Sequence, residues 1–378
     1  MKALALLLAI TLPASSQTEK SGPWEMQNSG TTANLRGIHA VGGGVAWASG
    51  TNGTVLRTED SGYMWQSCAM PPGAEKLDFR GIWAWDADNA VVMSSGPGDQ
   101  SRLYKTTDGC SHWTPLKTNT DKDGFWDAIA FSDPKNGYLL GDPVNEKFVL
   151  LRTADGGTTW KPVETPDLDI KNLHLGAFAA SNSSIALIGP VLGPITVPWI
   201  ATGGIDGPIM LLGGIDCTMG LAHSNPDACL SHYDFQHIKP PMKGGNESSG
   251  IFSVALPSNG HQGIRSAVAV GGDYTKPNES AGTAAWTVDG GAHWTAAAKP
   301  PHGYRSTVAW DGDAKAWIAA GTSGSDLSYD DGKTWQPLDN GNWNALSLPW
   351  IVGPKGRIAK LGALPSAGDG AVSTPSVR

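Results

Sequence analysis

The sequence predicts an all-β chain folded as a seven-bladed β-propeller, and three observations support that prediction. A pattern of eight residues, Ser/Thr-x-Asp-x-Gly-x-x-Trp, returns five times. Regular copies are preceded by three short apolar runs and followed by one, the order of a four-stranded antiparallel repeat. The 378 residues include 49 Gly and 16 Trp, with only 16% charged residues, which suits short strands, many turns and aromatic packing between repeats.

The pattern occupies residues 58–65, 153–160, 287–294 and 328–335. A fifth copy, 106–113, has Cys110 where the glycine stands elsewhere. Its aspartates are Asp60, Asp108, Asp155, Asp289 and Asp330; its tryptophans are Trp65, Trp113, Trp160, Trp294 and Trp335. A carboxylate at that place accepts hydrogen bonds from the turn's own N–H groups, and glycine supplies a positive φ. The tryptophan opens the outgoing strand and offers a large face to a neighbour. The motif resembles the Asp-box, shared by sialidase-like and many non-enzymatic propellers.

Read in order, each repeat is three strands, the turn, and a fourth strand. The first opens with Leu35-Arg36-Gly37-Ile38 and continues through 45–49 and 54–57. The second opens with Phe79-Arg80-Gly81-Ile82, the third with Phe125-Trp126-Asp127-Ala128-Ile129. A fourth is placed at 175–212, with strands at 176–180, 199–202 and 208–212, and an insertion at 213–246 in place of its turn. The fifth begins at Gly250-Ile251-Phe252-Ser253-Val254, the sixth at Tyr304-Arg305-Ser306-Thr307, the last at Trp343-Asn344-Ala345-Leu346. That last repeat stops before a fourth strand, while Trp24-Glu25-Met26-Gln27 has no repeat of its own. The N-terminal strand is therefore expected to complete the last blade, closing the ring and removing exposed edges. An eight-bladed ring would require 183–188 to belong to a separate repeat.

Residues 1–16 read as an export signal: Lys2, an apolar run over 3–12, then Ala14-Ser15-Ser16. The expected organisation is a signal at 1–16, a linker at 17–23, one propeller domain at 24–362 and a disordered tail at 363–378. The mature chain is expected to be an exported monomer, periplasmic or extracellular, without a transmembrane segment. A net charge of −8 argues against nucleic acid as partner. The four cysteines allow two disulfides. Adjacent repeats place Cys68 beside Cys110, leaving Cys217 with Cys229.

Antiparallel connection sends the Asp-box turns to one end of the ring, so ligand-binding residues are expected at the other. Arg36, Arg80, Asp127, Arg305 and Asn344 come from first-strand starts. Asp142, Asp273, Tyr274 and Lys276 follow second strands, and Glu247 precedes the fifth repeat. Guanidinium groups at a channel mouth suit a carboxylate-bearing partner; the same arginines could instead pair with Asp127, Asp142 and Asp273 as a polar rim. A sialidase-like hydrolase would draw on Arg36, Arg80, Arg305, Tyr274, Glu247 and Asp142. Against it, the arginines fall at repeated positions, an Arg-Ile-Pro signature near the N-terminus is missing, and the ring exceeds six blades. His223, His232, His237 and Asp234 have irregular spacing, so no metal or other cofactor is expected. Gly42-Gly43-Gly44 is a turn between strands. Asn52, Asn182, Asn246 and Asn278 stand in sequons.

Over nearly the whole mature chain, the repeats, the export signal, the Arg-Gly-Ile starts at Arg36 and Arg80 and the Asp-boxes resemble the photosystem II stability/assembly factor family. That resemblance implies a non-enzymatic lumenal propeller whose arginine patch binds a membrane-protein assembly intermediate, with Arg36, Arg80 and Arg305 at the matching positions. The chain departs from the pattern at its fourth repeat and in the acidic residues among the arginines. The function expected is accordingly a protein-binding or assembly-type propeller, with an exported or membrane-associated protein as partner. A glycan-active enzyme or a glycan-binding module is the alternative.

Overall fold

The computed structural model describes residues 22–192, 195–215, 233–257 and 266–366. They form seven antiparallel sheets, six of four strands and one of five, and contain no α-helix. The first strands of the sheets are Leu35–Gly42, Phe79–Ala84, Trp126–Phe131, Ile185–Leu192, Asn246–Ala255, Thr307–Asp311 and Ala345–Ser347. Each contacts the first strand of the next sheet, and the seventh contacts the first, so the ring is closed around a central channel. The protein is a seven-bladed β-propeller.

Closure follows the sequence reading. Trp24–Gln27 pairs antiparallel with Ile358–Leu361, and Trp24 Nε1 donates to Ser325 Oγ of the preceding blade at 2.9 Å. Second strands such as Ala90–Ser94 and Ala316–Gly321 are buried along their whole length. Their continuous runs of small and apolar residues suit strands covered on both faces. Blades are also stitched by backbone bonds. Leu35 N–H donates to Gly353 O, Ile251 to Thr202 O, Arg305 to Gly271 O and Trp343 to Gly321 O.

All five repeated turns share one hydrogen-bond pattern. The Thr or Ser hydroxyl donates to the Asp Oδ1 at 2.8–2.9 Å, and accepts the N–H four residues on. The Asp Oδ1 accepts the N–H of the residue before the Trp. The two residues after the Asp are left-handed in every copy, for instance Gly156 at 71° and Gly157 at 87°. Glycine relieves the strain of that conformation at four of the five second positions; Cys110 bears it at 64°. Carbonyls of the turn between first and second strands bind the repeated turn, as Gly44 O does Ser61 N–H and Asp88 O does Gly109 N–H. The two kinds of turn therefore share one end of the ring. The tryptophans pack against the preceding blade, Trp65 meeting Trp350 edge-on with ring centres 6.2 Å apart.

Cys68 and Cys110 are joined in a disulfide; Cys217 and Cys229 lie outside the described residues. So do the expected export signal at 1–16 and most of the expected tail. The fourth blade differs from expectation. Its strands are Ile185–Leu192, Ile195–Ala201, Met210–Ile215 and Tyr233–Ile238, so its first strand is not 176–180, and its fourth lies within the expected insertion. The apolar stretch at 176–180 has strand-like composition, but Gly176 makes only an isolated bridge, to Gly203.

Candidate functional site

Four first strands carry the same irregularity, three at their first residues and the fourth within Asn246–Ala255. Leu35 pairs with Gly50 and Gly37 with Ser49, leaving Arg36 as the extra residue of a β-bulge. Arg80, Asp127 and Phe252 are the extra residues at the same place in blades two, three and five. A bulge frees its residue from the ladder and re-aims the side chain. Glycine after the arginine is required by crowding: a Cβ at Gly37 would lie 2.6 Å from Ser49 Oγ and 3.0 Å from Arg80 O. In blades six and seven the blade-to-blade bonds from Arg305 and Trp343 match those from Leu35 and Ile251, so the residues equivalent to Arg36 are Ser306 and Asn344. All six equivalents line one cavity of about 420 Å³.

The cavity is floored by the segment that sequence reading made a strand. Residues 176–184 cross the channel, and their polar groups bind several blades. Asp142 Oδ1 accepts Ala177 N–H at 2.9 Å, and Arg80 Nη1 donates to Ala179 O at 3.2 Å. Ser181 Oγ donates to Ser306 O at 2.7 Å, and Val254 N–H donates to Ser183 O. Asn182, with φ of 62°, accepts Ile129 N–H and donates to Ile129 O and Ile82 O. This is how a non-regular segment at the centre of a protein satisfies its backbone. Phe178 stacks on Phe252 with ring centres 3.7 Å apart.

Charges in the cavity are not paired across it. Arg80 Nε donates to Asp78 at 2.8 Å. Arg36 makes no ion pair among the described residues, and its buried Nε has no hydrogen-bond partner. Burial, then the Arg80 charge, lowers the Arg36 pKa. Asp127 is 1% exposed, and its Oδ2 has no partner. Burial, then the Asp142 charge, pushes its carboxyl well above the usual carboxylate range. Burial also raises Asp142, to about 6. Aromatic rings line the same cavity: Phe252 meets Tyr304 edge-on at 4.8 Å and Tyr274 at 6.2 Å. Burial raises the Tyr304 hydroxyl pKa.

Of the ten residues expected at the site, Arg36, Arg80, Asp127, Asp142, Tyr274 and Asn344 line this cavity. Arg305 does not. Its alignment with Arg36 was out of register by one residue, and a one-residue slip reverses the face on which a strand residue lies. Arg305 stands where Leu35 does and is fully buried, ion-paired to Asp326, with Nη1 donating to Tyr304 O. Asp273 is 2% exposed and accepts from Ser248, Thr275 and Asn246, which hold it at about 2; it anchors its own loop. Lys276 pairs with Glu279, and Glu247 is exposed outside the cavity. The sialidase-like set is therefore not brought together. His237 Nε2 bonds Asp167 O at 2.7 Å; His223 and His232 lie outside the described residues. Among the described residues no cluster of His, Cys, Asp or Glu suits a metal ion, and no helix is long and apolar enough to cross a membrane. Sequence reading missed Phe252, which aligning the bulges reveals, Ser306, which the blade-to-blade bonds reveal, and Phe178 and Tyr304, which lie outside the repeated ladder.

The fold and this mouth cavity define the class as a seven-bladed propeller with an occluded channel and a small polar–aromatic site. No protein-family description and no curated protein matches the chain. Among solved structures, the extracellular domain of the hybrid two-component system BT4673 from B. thetaiotaomicron is similar in fold. It has a TM-score of 0.57 at 11% identity, over 90% of this chain and 40% of that one. A structure described as YCF48 bound to D1 peptide gives 0.44 at 14% identity, over 94% and 100% of the two chains. YCF48 from Cyanidioschyzon merolae gives 0.40 at 15%, over 90% and 98%.

Proposed function

We propose that this chain is an exported, non-enzymatic propeller of the protein-binding or assembly type, whose five repeated turns are Asp-boxes and whose channel mouth receives a group of its partner. The observation that carries the proposal is the mouth cavity, about 420 Å³ and within the range of ligand sites, where Arg36 offers an unpaired guanidinium beside aromatic rings. Export rests on residues 1–16 of the sequence, and the assembly role on the sequence resemblance.

The test is capture from the exported protein fraction on immobilised mature protein, with Arg36→Gln at the cavity and Asp155→Ala at the opposite end. A partner held by the wild type and the Asp155 variant, and lost with Arg36→Gln, supports the reading. A partner held equally by all three refutes it.

One observation favours a glycan-active enzyme as the second reading: the Asp127 and Asp142 carboxyls are both raised beside aromatic walls, as a general acid requires. Turnover of a chromogenic glycoside panel that vanishes in Asp142→Asn would establish it, with Glu247→Gln as the control outside the cavity.

A further inference from the structure

We propose that the mouth cavity recognises a zwitterion, a ligand whose carboxylate and ammonium lie close together and whose apolar part rests on the aromatic side chains. This rests on reading the channel mouth as the binding face.

The inference comes from a guanidinium and a pair of carboxyls that share a cavity without bonding to one another. Arg36, on the first blade, has neither an ion-pair partner among the described residues nor a bond to its Nε. Its neighbour Arg80 is already held by Asp78 and Ala179 O. Asp127 and Asp142, on the third blade, make no ion pair with either arginine, and Asp127 Oδ2 is without a partner. A satisfied polar rim would join these groups, because leaving buried polar groups without partners is costly. An anion would match Arg36 but sit beside two carboxyls. A simple cation would match the carboxyls but sit beside two guanidinium groups. A ligand bearing both charges matches both sides.

The rest of the cavity fits such a ligand's body. Phe178, Phe252, Tyr274 and Tyr304, from the channel plug and blades five and six, line the same cavity as the charged residues. Aromatic faces accept another ring and also attract an ammonium group. A free aromatic amino acid offers this chemistry, and so do adjacent acidic and basic side chains on a polypeptide.

The experiment is titration calorimetry of the full mature chain at pH 7.5 with phenylalanine, phenylalaninamide and N-acetylphenylalanine, and with an end-capped Asp-Lys dipeptide. Either phenylalanine or the dipeptide should bind, and which one does identifies the source. If phenylalanine binds, each blocked analogue should bind at least tenfold more weakly. Arg36→Gln should then erase the preference over the amide, and Asp142→Asn the preference over the N-acetyl form. The Asn side chain keeps an oxygen for Ala177 N–H, so that variant is expected to fold. If the dipeptide binds instead, each variant should weaken it at least tenfold. An N-acetyl form or an amide that binds as tightly as phenylalanine overturns the inference, as does absence of saturable binding by both zwitterions. The mouth reading is separable. Partner capture lost in Arg36→Gln and unchanged in Asp142→Asn defeats the zwitterion alone, whereas capture unchanged in both defeats the mouth reading.

Discussion

The Cys68–Cys110 disulfide closes 42 residues of chain, and removing it has a size that can be worked out. Restricting an unfolded loop of that length is worth about 4 kcal/mol at 25 °C in the chain-entropy model. With a melting entropy of about 2 cal/mol/K per residue, that corresponds to a loss of roughly 5 °C for a propeller of this size. The variant is Cys68→Ala with Cys110→Ala, read by scanning calorimetry. A second variant, Cys68→Ala with Cys110→Gly, tests the turn. Glycine ordinarily costs about 0.5–1 kcal/mol in chain flexibility, and losing a buried methyl about 0.8 kcal/mol more. Here the left-handed backbone at position 110, φ 64°, returns roughly 1–2 kcal/mol. The two double variants should therefore melt within about 1 °C of each other. A loss below about 1 °C on removing the bridge would refute the entropy argument. A glycine variant melting about 2 °C or more below the alanine variant would refute the strain argument.

Asp155→Ala removes an acceptor used by Thr153 Oγ1, Thr159 N–H and Thr159 Oγ1, and should cost about 1–2 kcal/mol in thermal unfolding. Asn182→Ala strips three bonds from the channel plug and should cost about 2 kcal/mol; a neutral result would mean the plug does not depend on them. Asp142 and Asp127 are both raised above the ordinary carboxylate range of about 3.8, so the folded chain holds protons that the unfolded chain releases. Their contribution is full below about pH 4 and falls as the pH rises through about 6 for Asp142. Asp142→Asn should then be more stable than wild type at pH 7.5, by about 3 kcal/mol, and not at pH 4; a lower stability at both would contradict the assignment.

How much of this was legible in the sequence depended on whether local residues determined it. The repeated turns were readable because hydroxyl, carboxylate and glycine act within eight residues. Closure by Trp24–Gln27 was readable because an orphan strand and a missing one match across the chain. The plug was not, since Gly176-Ala177-Phe178-Ala179-Ala180 has the composition of a buried strand, and only contacts with Asp142, Arg80 and Phe252 place it across the channel. The bulges are likewise decided by ladders: Arg36 and Arg80 were found because Arg-Gly-Ile repeats, whereas Phe252 and Ser306 share their place without sharing their chemistry.

Arg305 shows the same limit and can be tested. The residues that precede the cavity positions are Leu35, Phe79, Trp126, Ile251 and Trp343, all apolar and at most 2% exposed; Arg305 is the polar member of that set. Its guanidinium is ion-paired to Asp326, which also bonds His302 Nδ1 at 2.8 Å. Arg305→Leu should leave the Asp326 carboxylate buried beside His302 alone and cost about 3–5 kcal/mol. Joining it with Asp326→Leu removes the stranded charge and should recover part of that loss, the remainder being the bonds Arg305 makes to Ser323 and His302. If Arg305 were a ligand residue, the double variant would be stable yet unable to bind. If it is the core residue its register makes it, the double variant binds as the wild type does below its melting temperature. A double variant no more stable than the single one would refute the ion-pair account.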